Sequence, residues 1–504
     1  MSSTGRSIPA TIAAVVVLLG GVSRGFSAAP DAQPLRSPAF RLKGTDRCVK
    51  CHRSEQGDWC DVATTSAWRH DAHSRAHLAL SPDNERTRAM EQALGIKAAE
   101  TASCIACHTH SIDEPPIEEE TNMLHAGISC ETCHGAGSGY LEPHLEKSWR
   151  FLSSAEKQAF GMHDLRNPIA KAQNCLSCHL GEVATGRIIT HQMYAAGHPP
   201  LPAFEMEAFS AGMGPHWKRV WEKSPKIQQL AAEAHYETEG ASELERSLVG
   251  ALVALRETAR LVNDYANVTE NDAKDHPWPE LALYDCQACH HELAVPSWRQ
   301  EVGYGRLVPG RPSLVRWPRR LAAVAFAEAG LPIDVDALLE PFVAVLNRRP
   351  FGTADGLRQA ADAGAESFAQ IDRAIEVLAR WQRDDTLAAR EQAATTRIAA
   401  AGREVGDFDS ARILAWALTH GLANADAWPQ DMRSEKIAEL SRLLLLGFPT
   451  PAYPVPPSPE KPFWQTSLMA APDADIARVR KAFELPPAEK PALGIEVIPP
   501  PVAR

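Results

Sequence analysis

Cys48-Val49-Lys50-Cys51-His52 is the first of five copies of one short pattern. The others are Cys104–His108, Cys130–His134, Cys175–His179 and Cys286–His290. Each reads C-x-x-C-H, the attachment signal for a c-type haem. On one helical turn, positions i, i+3 and i+4 share a face. Two thiols there can form thioethers with the two vinyl groups of one porphyrin. The imidazole that follows is then held under the iron as its proximal ligand.

Ten of the eleven cysteines fall in these pairs, and a histidine follows every pair. With 19 histidines in 504 residues, chance would produce that coincidence about once in ten million sequences. Two C-x-x-C pairs can close a tetrahedral zinc site, but five is an odd number and zinc does not need the trailing histidine. A thioredoxin-like pair should occur once, beside a βαβ pattern, and none is visible. The motifs therefore predict five covalently bound haem c groups. Cys48, Cys51, Cys104, Cys107, Cys130, Cys133, Cys175, Cys178, Cys286 and Cys289 are the thioether residues. His52, His108, His134, His179 and His290 are the proximal ligands. Cys60 is left over and reads as a small buried residue.

The N-terminus agrees with export. Arg6 precedes an apolar run from Ile12 to Val22, and Ser27-Ala28-Ala29 offers small residues for cleavage. Residues 1–29 read as a signal peptide, the run being shorter than the about 20 residues needed to span a bilayer. The mature chain is expected in the periplasm, with no transmembrane segment. Loss of Arg6 and Arg24 takes the net charge from −11 to −13. No lysine- or arginine-rich run is present, so nucleic acid is not an expected partner. Acidity of this kind would steer redox partner proteins that carry a basic face.

At this length two or three domains are expected. Residues 30–310 hold all five motifs and read as a pentahaem domain. Within it, the spacing of His70, His73 and His77 predicts one helical face, with at least one of them a distal iron ligand. The run Gly135-Ala-Gly-Ser-Gly139 lacks the strand and lysine of a phosphate loop and reads as a turn passing close to a porphyrin. His198, between Gly197 and Pro199, has a restricted backbone course that suits a rigid ligand. Leu244, Leu248, Leu252, Leu255 and Val262 predict an amphipathic helix within a helical insert at about 217–275. From 311 to 450 the stripes Phe368-Ile371-Ile375-Leu378 and Ile437-Leu440-Leu444 predict a small helical domain, the second stopped by Gly447 and Pro449. Residues 451–504 read as a proline-rich, partly disordered tail. The expected fold class is mainly α: a loop-rich multihaem domain organised around packed haems, followed by the helical domain.

The first 310 residues resemble the multihaem cytochrome c proteins related to cytochrome c-554. The resemblance is carried by Trp68-Arg-His-Asp-Ala-His73-Ser-Arg-Ala76, by Gly127-Ile-Ser-Cys130-Glu-Thr-Cys133-His134-Gly135 and by Glu142-Pro-His144. His191, Ala196-Gly-His198-Pro-Pro-Leu201 and Tyr284-Asp-Cys286-Gln-Ala-Cys289-His290-His291 are similar to segments of longer members. It implies a helical, loop-rich fold on closely packed haems, and electron transfer, coupled in some relatives to oxidation of reduced nitrogen compounds. It also implies that the second motif is the one to lack a sixth ligand. This chain departs in having five motifs where cytochrome c-554 has four, in having Pro200 where a basic residue is expected, and in its C-terminal third.

Six-coordinate irons need distal ligands. His73, His144, His191 and His198 are the candidates, with His125 as a fifth whose alternative is packing beside the third haem. Histidine on both sides of the iron gives lower potentials than a histidine–methionine pair, which suits a relay between redox partners. The alternative is a multihaem oxidoreductase that acts on a small nitrogen or sulfur compound at an iron with an open coordination site. Such enzymes usually carry an altered motif or a cationic cleft, and neither is visible.

Overall fold

The computed structural model describes residues 40–52, 68–109, 127–446 and 475–488, apart from short stretches at 214–216, 218, 234–241, 272–273, 275, 292, 294, 382–383 and 424. The expected signal peptide, Cys60, His125, Gly447, Pro449 and most of the expected tail lie outside the described residues.

The described chain is mainly helical. Its only β pairing is two isolated bridges, Glu182 with Arg187 and Tyr284 with Leu314. The described residues before 200 use short helices and 3-10 turns joined by loops. A haem-binding chain has little need of a large apolar side-chain core there, and the loops have local reasons. Glu131 shows one. Its carboxylate is 3 % exposed and accepts the backbone N–H groups of Lys43 (2.8 Å), Gly44 (2.8 Å) and Gly137 (2.7 Å). Three loop donors that would otherwise be buried without partners are thereby satisfied.

The helix Glu243–Asn271 is the spine of the molecule. The five positions of its expected stripe are between 0 and 3 % exposed. Burial goes beyond that stripe, because Val249, Val253 and Ala254 on other faces are also enclosed. A helix apolar on most sides is covered on most sides. The helices Pro168–His179 and Met206–Gly212 lie against it, and so do Trp317–Glu328, Ala354–Ala363, Ala365–Ala379 and Phe408–Ala423. The helix expected as an insert is thus shared by the motif-bearing region and the C-terminal helices. One apolar cluster runs from Ala172 and Leu176, beside the fourth motif, to Phe483. Burying each leucine of the spine contributes about 1.5–3 kcal/mol.

In the C-terminal region Phe368, Ile371, Ile375, Leu378, Leu440 and Leu444 are buried as the periodicity predicts. The helix Gln430–Leu444 ends with Leu445 in the left-handed conformation (φ 49°). Within the stretch expected as a tail, Ile476–Ala482 is helical, and Val479, Ala482 and Phe483 are fully enclosed in the shared core.

Polar side chains inside this core are paired across elements. Arg246 reaches Glu207 at 2.7 Å, Arg256 reaches Asp372 at 2.7 Å, and Arg390 reaches Glu245 at 2.6 Å. His420, on the helix Phe408–Ala423, lies 3.2 Å from Glu205 and 3.6 Å from Glu243. Burial alone would push His420 down, but hydrogen bonds to these two carboxylates outweigh it and raise its pKa to about 10. A group raised above its ordinary 6.5 stabilises the fold fully below that pH and stops doing so as pH rises through the folded value. Urea denaturation of the holoprotein should therefore show stability falling between about pH 6.5 and 10. His420→Gln should lower stability by about 3–5 kcal/mol near pH 6 and flatten that fall. An equally steep fall in the variant would assign it to other groups.

Candidate haem sites

Each motif sits on a short local element. Cys48 lies in the helix Thr45–Val49, the second motif ends the helix Ala102–His108, and the third occupies Cys130–His134. The fourth closes the longer helix Pro168–His179, which Asn167 caps and Pro168 begins. The fifth starts in a 3-10 turn, Cys286–Ala288, capped by Asp285. These ends are set by side chains: Ser129 accepts the Glu131 N–H, and Asp285 accepts the Gln287 N–H. The ten described cysteines form no disulfide.

Among the described residues, four motif histidines face a second imidazole. His52 faces His144 with ring centroids 6.3 Å apart, and His179 faces His73 at 6.1 Å. His108 faces His198 at 6.3 Å, and His290 faces His191 at 6.1 Å. Each pair joins a motif to a residue distant in sequence. A metal–imidazole bond is about 2 Å long and a ring centroid lies ~1.2 Å behind its nitrogen, so two rings on one iron have centroids about 6.3 Å apart. The residues present therefore fit a bis-imidazole haem at these four motifs.

The ring nitrogens agree with that fit. Nδ1 of His108 lies 3.0 Å from the Ala76 carbonyl, that of His144 lies 2.6 Å from the Leu141 carbonyl, and that of His198 lies 2.7 Å from the Pro199 carbonyl. A carbonyl only accepts, so Nδ1 carries the proton and Nε2 keeps its lone pair for a metal. His73 Nδ1–H donates to Asp71 Oδ1 at 2.7 Å. Burial lowers the pKa of His179 to about 3, with His73 adding to the effect, and burial lowers His198 to about 4. Burial also lowers His52, His108 and His290. These imidazoles are held neutral, the form that ligates.

His73 differs from its expected setting. The spacing of His70, His73 and His77 predicts one α-helical face, but residues 73–80 form a 3-10 helix. At three residues per turn, positions four apart diverge. His73 faces the motif histidine His179, while His70 is exposed and His77 is half-buried. Gly127 has a reason the sequence does not announce. Its φ is +62°, and a Cβ there would strike the backbone of His73 and Ser74. The Trp68 Nε1–H donates to the Ile128 carbonyl at 2.9 Å, and the Ile128 N–H donates to the His73 carbonyl at 2.9 Å. The segments Trp68–Ala76 and Gly127–Gly135 are therefore built against each other.

The third motif is flanked by His163, which spacing alone did not single out. Its Nδ1 lies 3.0 Å from the Cys133 carbonyl, and its N–H donates to the His134 carbonyl at 3.0 Å. The glycine run after this motif is tight against that same segment. A Cβ on Gly135 would strike the Gly161 carbonyl, and one on Gly139 the Phe160 carbonyl. The close approach expected of these glycines is thus made to protein backbone.

The motifs form a connected row. Cys48 lies beside Cys130, and the helices Thr45–Val49 and Cys130–His134 touch, joining the first motif to the third. Cys133 lies within electrostatic reach of Cys175 and Cys178, joining the third to the fourth. Buried Arg187 donates to the Ala106 carbonyl (3.0 Å) and to Ser177 Oγ (2.8 Å), joining the fourth to the second. His198 and His191, seven residues apart, face the second and fifth motif histidines. Glu280 pins the His191 N–H at 2.7 Å. The fifth motif is also tied to the C-terminal region, where the Tyr284 hydroxyl donates to the Phe351 carbonyl and Asp285 pairs with Arg316 at 2.8 Å.

Comparison with known proteins agrees with this architecture. The sequence profile of the family described as cytochrome c554 and c-prime matches residues 47–135. Cytochrome c-554 of Nitrosomonas europaea is 25% identical over 179 residues, which cover 33% of this chain and 68% of that protein. No solved structure matches significantly. The motif-bearing part of this chain is related to the cytochrome c-554 family, whose profile spans the first three of its five C-x-x-C-H motifs.

Proposed function

We propose that this protein relays electrons between redox partner proteins in the periplasm, through five covalently attached haem c groups in the spatial order first, third, fourth, second, fifth. The observation that carries the reading is the set of four facing imidazole pairs, each joining a motif to a distant histidine. When bound, a haem supplies one-electron chemistry at its iron. The chain's own residues do the rest. The five cysteine pairs hold the porphyrins. His52, His108, His134, His179 and His290 would each hold one haem iron, and His144, His198, His73 and His191 would supply a second ligand to four of them. His125, the fifth distal candidate from the sequence, lies outside the described residues. No helix among the described residues is long and apolar enough to cross a membrane.

Two histidine ligands at each of these four sites would leave no coordination position for a substrate, which favours a relay over an oxidoreductase. Ring orientation supports a division among the centres. The His52–His144 and His191–His290 planes are near parallel, at 16° and 20°. The His73–His179 and His108–His198 planes are near perpendicular, at 82° and 74°. Parallel and perpendicular imidazole pairs give different low-spin signals, so paramagnetic resonance of the ferric protein should show at least two sites of each kind among the five.

The haem content of the purified holoprotein should be close to five per chain by pyridine haemochrome; three or fewer would overturn the cofactor count. Replacing His73, His144, His191 or His198 singly by alanine should convert one low-spin haem to high spin, and an unchanged spectrum removes that residue from the ligand set. Carbon monoxide should leave the four paired haems of the reduced protein unbound within seconds. Rapid binding at two or more haems would favour the oxidoreductase reading.

A further inference from the structure

We propose that Asp71 is a positioning residue that lowers the reduction potential of the haem at the fourth motif, by placing a fixed negative charge on that haem's distal ligand. The inference rests on the reading above that His73 and His179 share one iron. Among the rings whose Nδ1 acceptor is described, His108, His144 and His198 donate to backbone carbonyls, which are neutral. His73 donates instead to a carboxylate, 2.7 Å away. The same Oδ1 also accepts the His73 backbone N–H at 2.7 Å, so the carboxylate cannot swing away without losing two bonds.

The surroundings make that charge effective. The Asp71 side chain is 7 % exposed. The facing His179 is buried between Phe204 and Phe209, with ring centroids 5.3 and 5.1 Å away. Charges act more strongly where water is excluded. A hydrogen bond to a carboxylate also makes an imidazole a stronger donor to a metal than one to a carbonyl does. Both effects favour the oxidised iron, which carries one more positive charge. Arg187, against Ser177 of the same motif, acts in the opposite sense; Asp71 differs in acting through the ligand itself.

Asp71 also holds the first backbone N–H of the 3-10 helix His73–Leu80, so a purely structural role must be told apart. An asparagine Oδ1 accepts N–H groups as a carboxylate oxygen does. Asp71→Asn therefore keeps the one oxygen that accepts both bonds and removes the charge. In the full-chain holoprotein, spectroelectrochemical titration of this variant should show one midpoint potential moved upward and the others unmoved. Haem content and low-spin state should be unchanged, and Asp71→Glu should restore most of the shift. Unchanged potentials at full haem content would overturn the proposal. So would a haem turned high spin, since that would make Asp71 a structural support only. A second measurement needs no variant. Near-infrared magnetic circular dichroism of the ferric wild-type protein should contain one haem whose charge-transfer band is displaced toward the imidazolate position; bands all at the neutral-imidazole position would also overturn it. The underlying assignment fails separately, if His73→Ala leaves every haem low spin.

Discussion

Two imidazoles can share one iron only if their rings stand about 6 Å apart and face each other, and the motif-bearing half of this chain is arranged to meet that condition four times. His73, His144, His191 and His198 each approach a motif histidine from a remote part of the sequence. The local structures that seem irregular serve those approaches. The 3-10 helix His73–Leu80 aims His73 at His179 and supplies the Ala76 carbonyl to His108. Gly127 allows the third motif's segment to touch the backbone of His73. The Glu131 carboxylate gathers three loop N–H groups beside the first and third motifs. Substitution at such positions would disturb a metal site without touching a ligand.

The long helix Glu243–Asn271 solves a different problem. Short helices and loops have few apolar faces to bury against one another. The spine offers an apolar surface on several sides, which the fourth-motif helix shares with the C-terminal helices. Ion pairs across this core join the same two regions. Glu205 follows the segment that carries His198, Glu243 begins the spine, and His420 comes from a C-terminal helix. Electrostatics at that junction and hydrophobic burial along the spine thus hold the row of motifs in register with the rest of the chain.

Particular residues show how far a linear reading reaches. Five C-x-x-C-H motifs are recognisable because the chemistry needs two thiols and an imidazole within one helical turn. The stripes at Phe368–Leu378 and Leu244–Val262 are recognisable because a helix repeats every 3.6 residues. His73 was legible as a candidate, but its α-helical setting was not, since a 3-10 turn leaves no distinct periodic signature over eight residues. His163 was missed: its place beside Cys133 and His134 comes from a loop closure, for which spacing carries no signal. The burial of Phe483 was likewise hidden behind a proline-rich stretch, whose composition suggests a tail.

By itself, then, the sequence determined the five C-x-x-C-H motifs, with the thiols and the histidine each would offer a haem, and the helical character of the chain, because each depends on residues within a turn or two of one another. Only the tertiary structure decided which histidine faces which motif, the spatial order of the motifs, and that the spine helix is common to both regions. Those are matters of long-range closure. They depend on carbonyls, glycines and carboxylates from separate segments meeting at distances of about 3 Å, and no local pattern encodes which segments will meet.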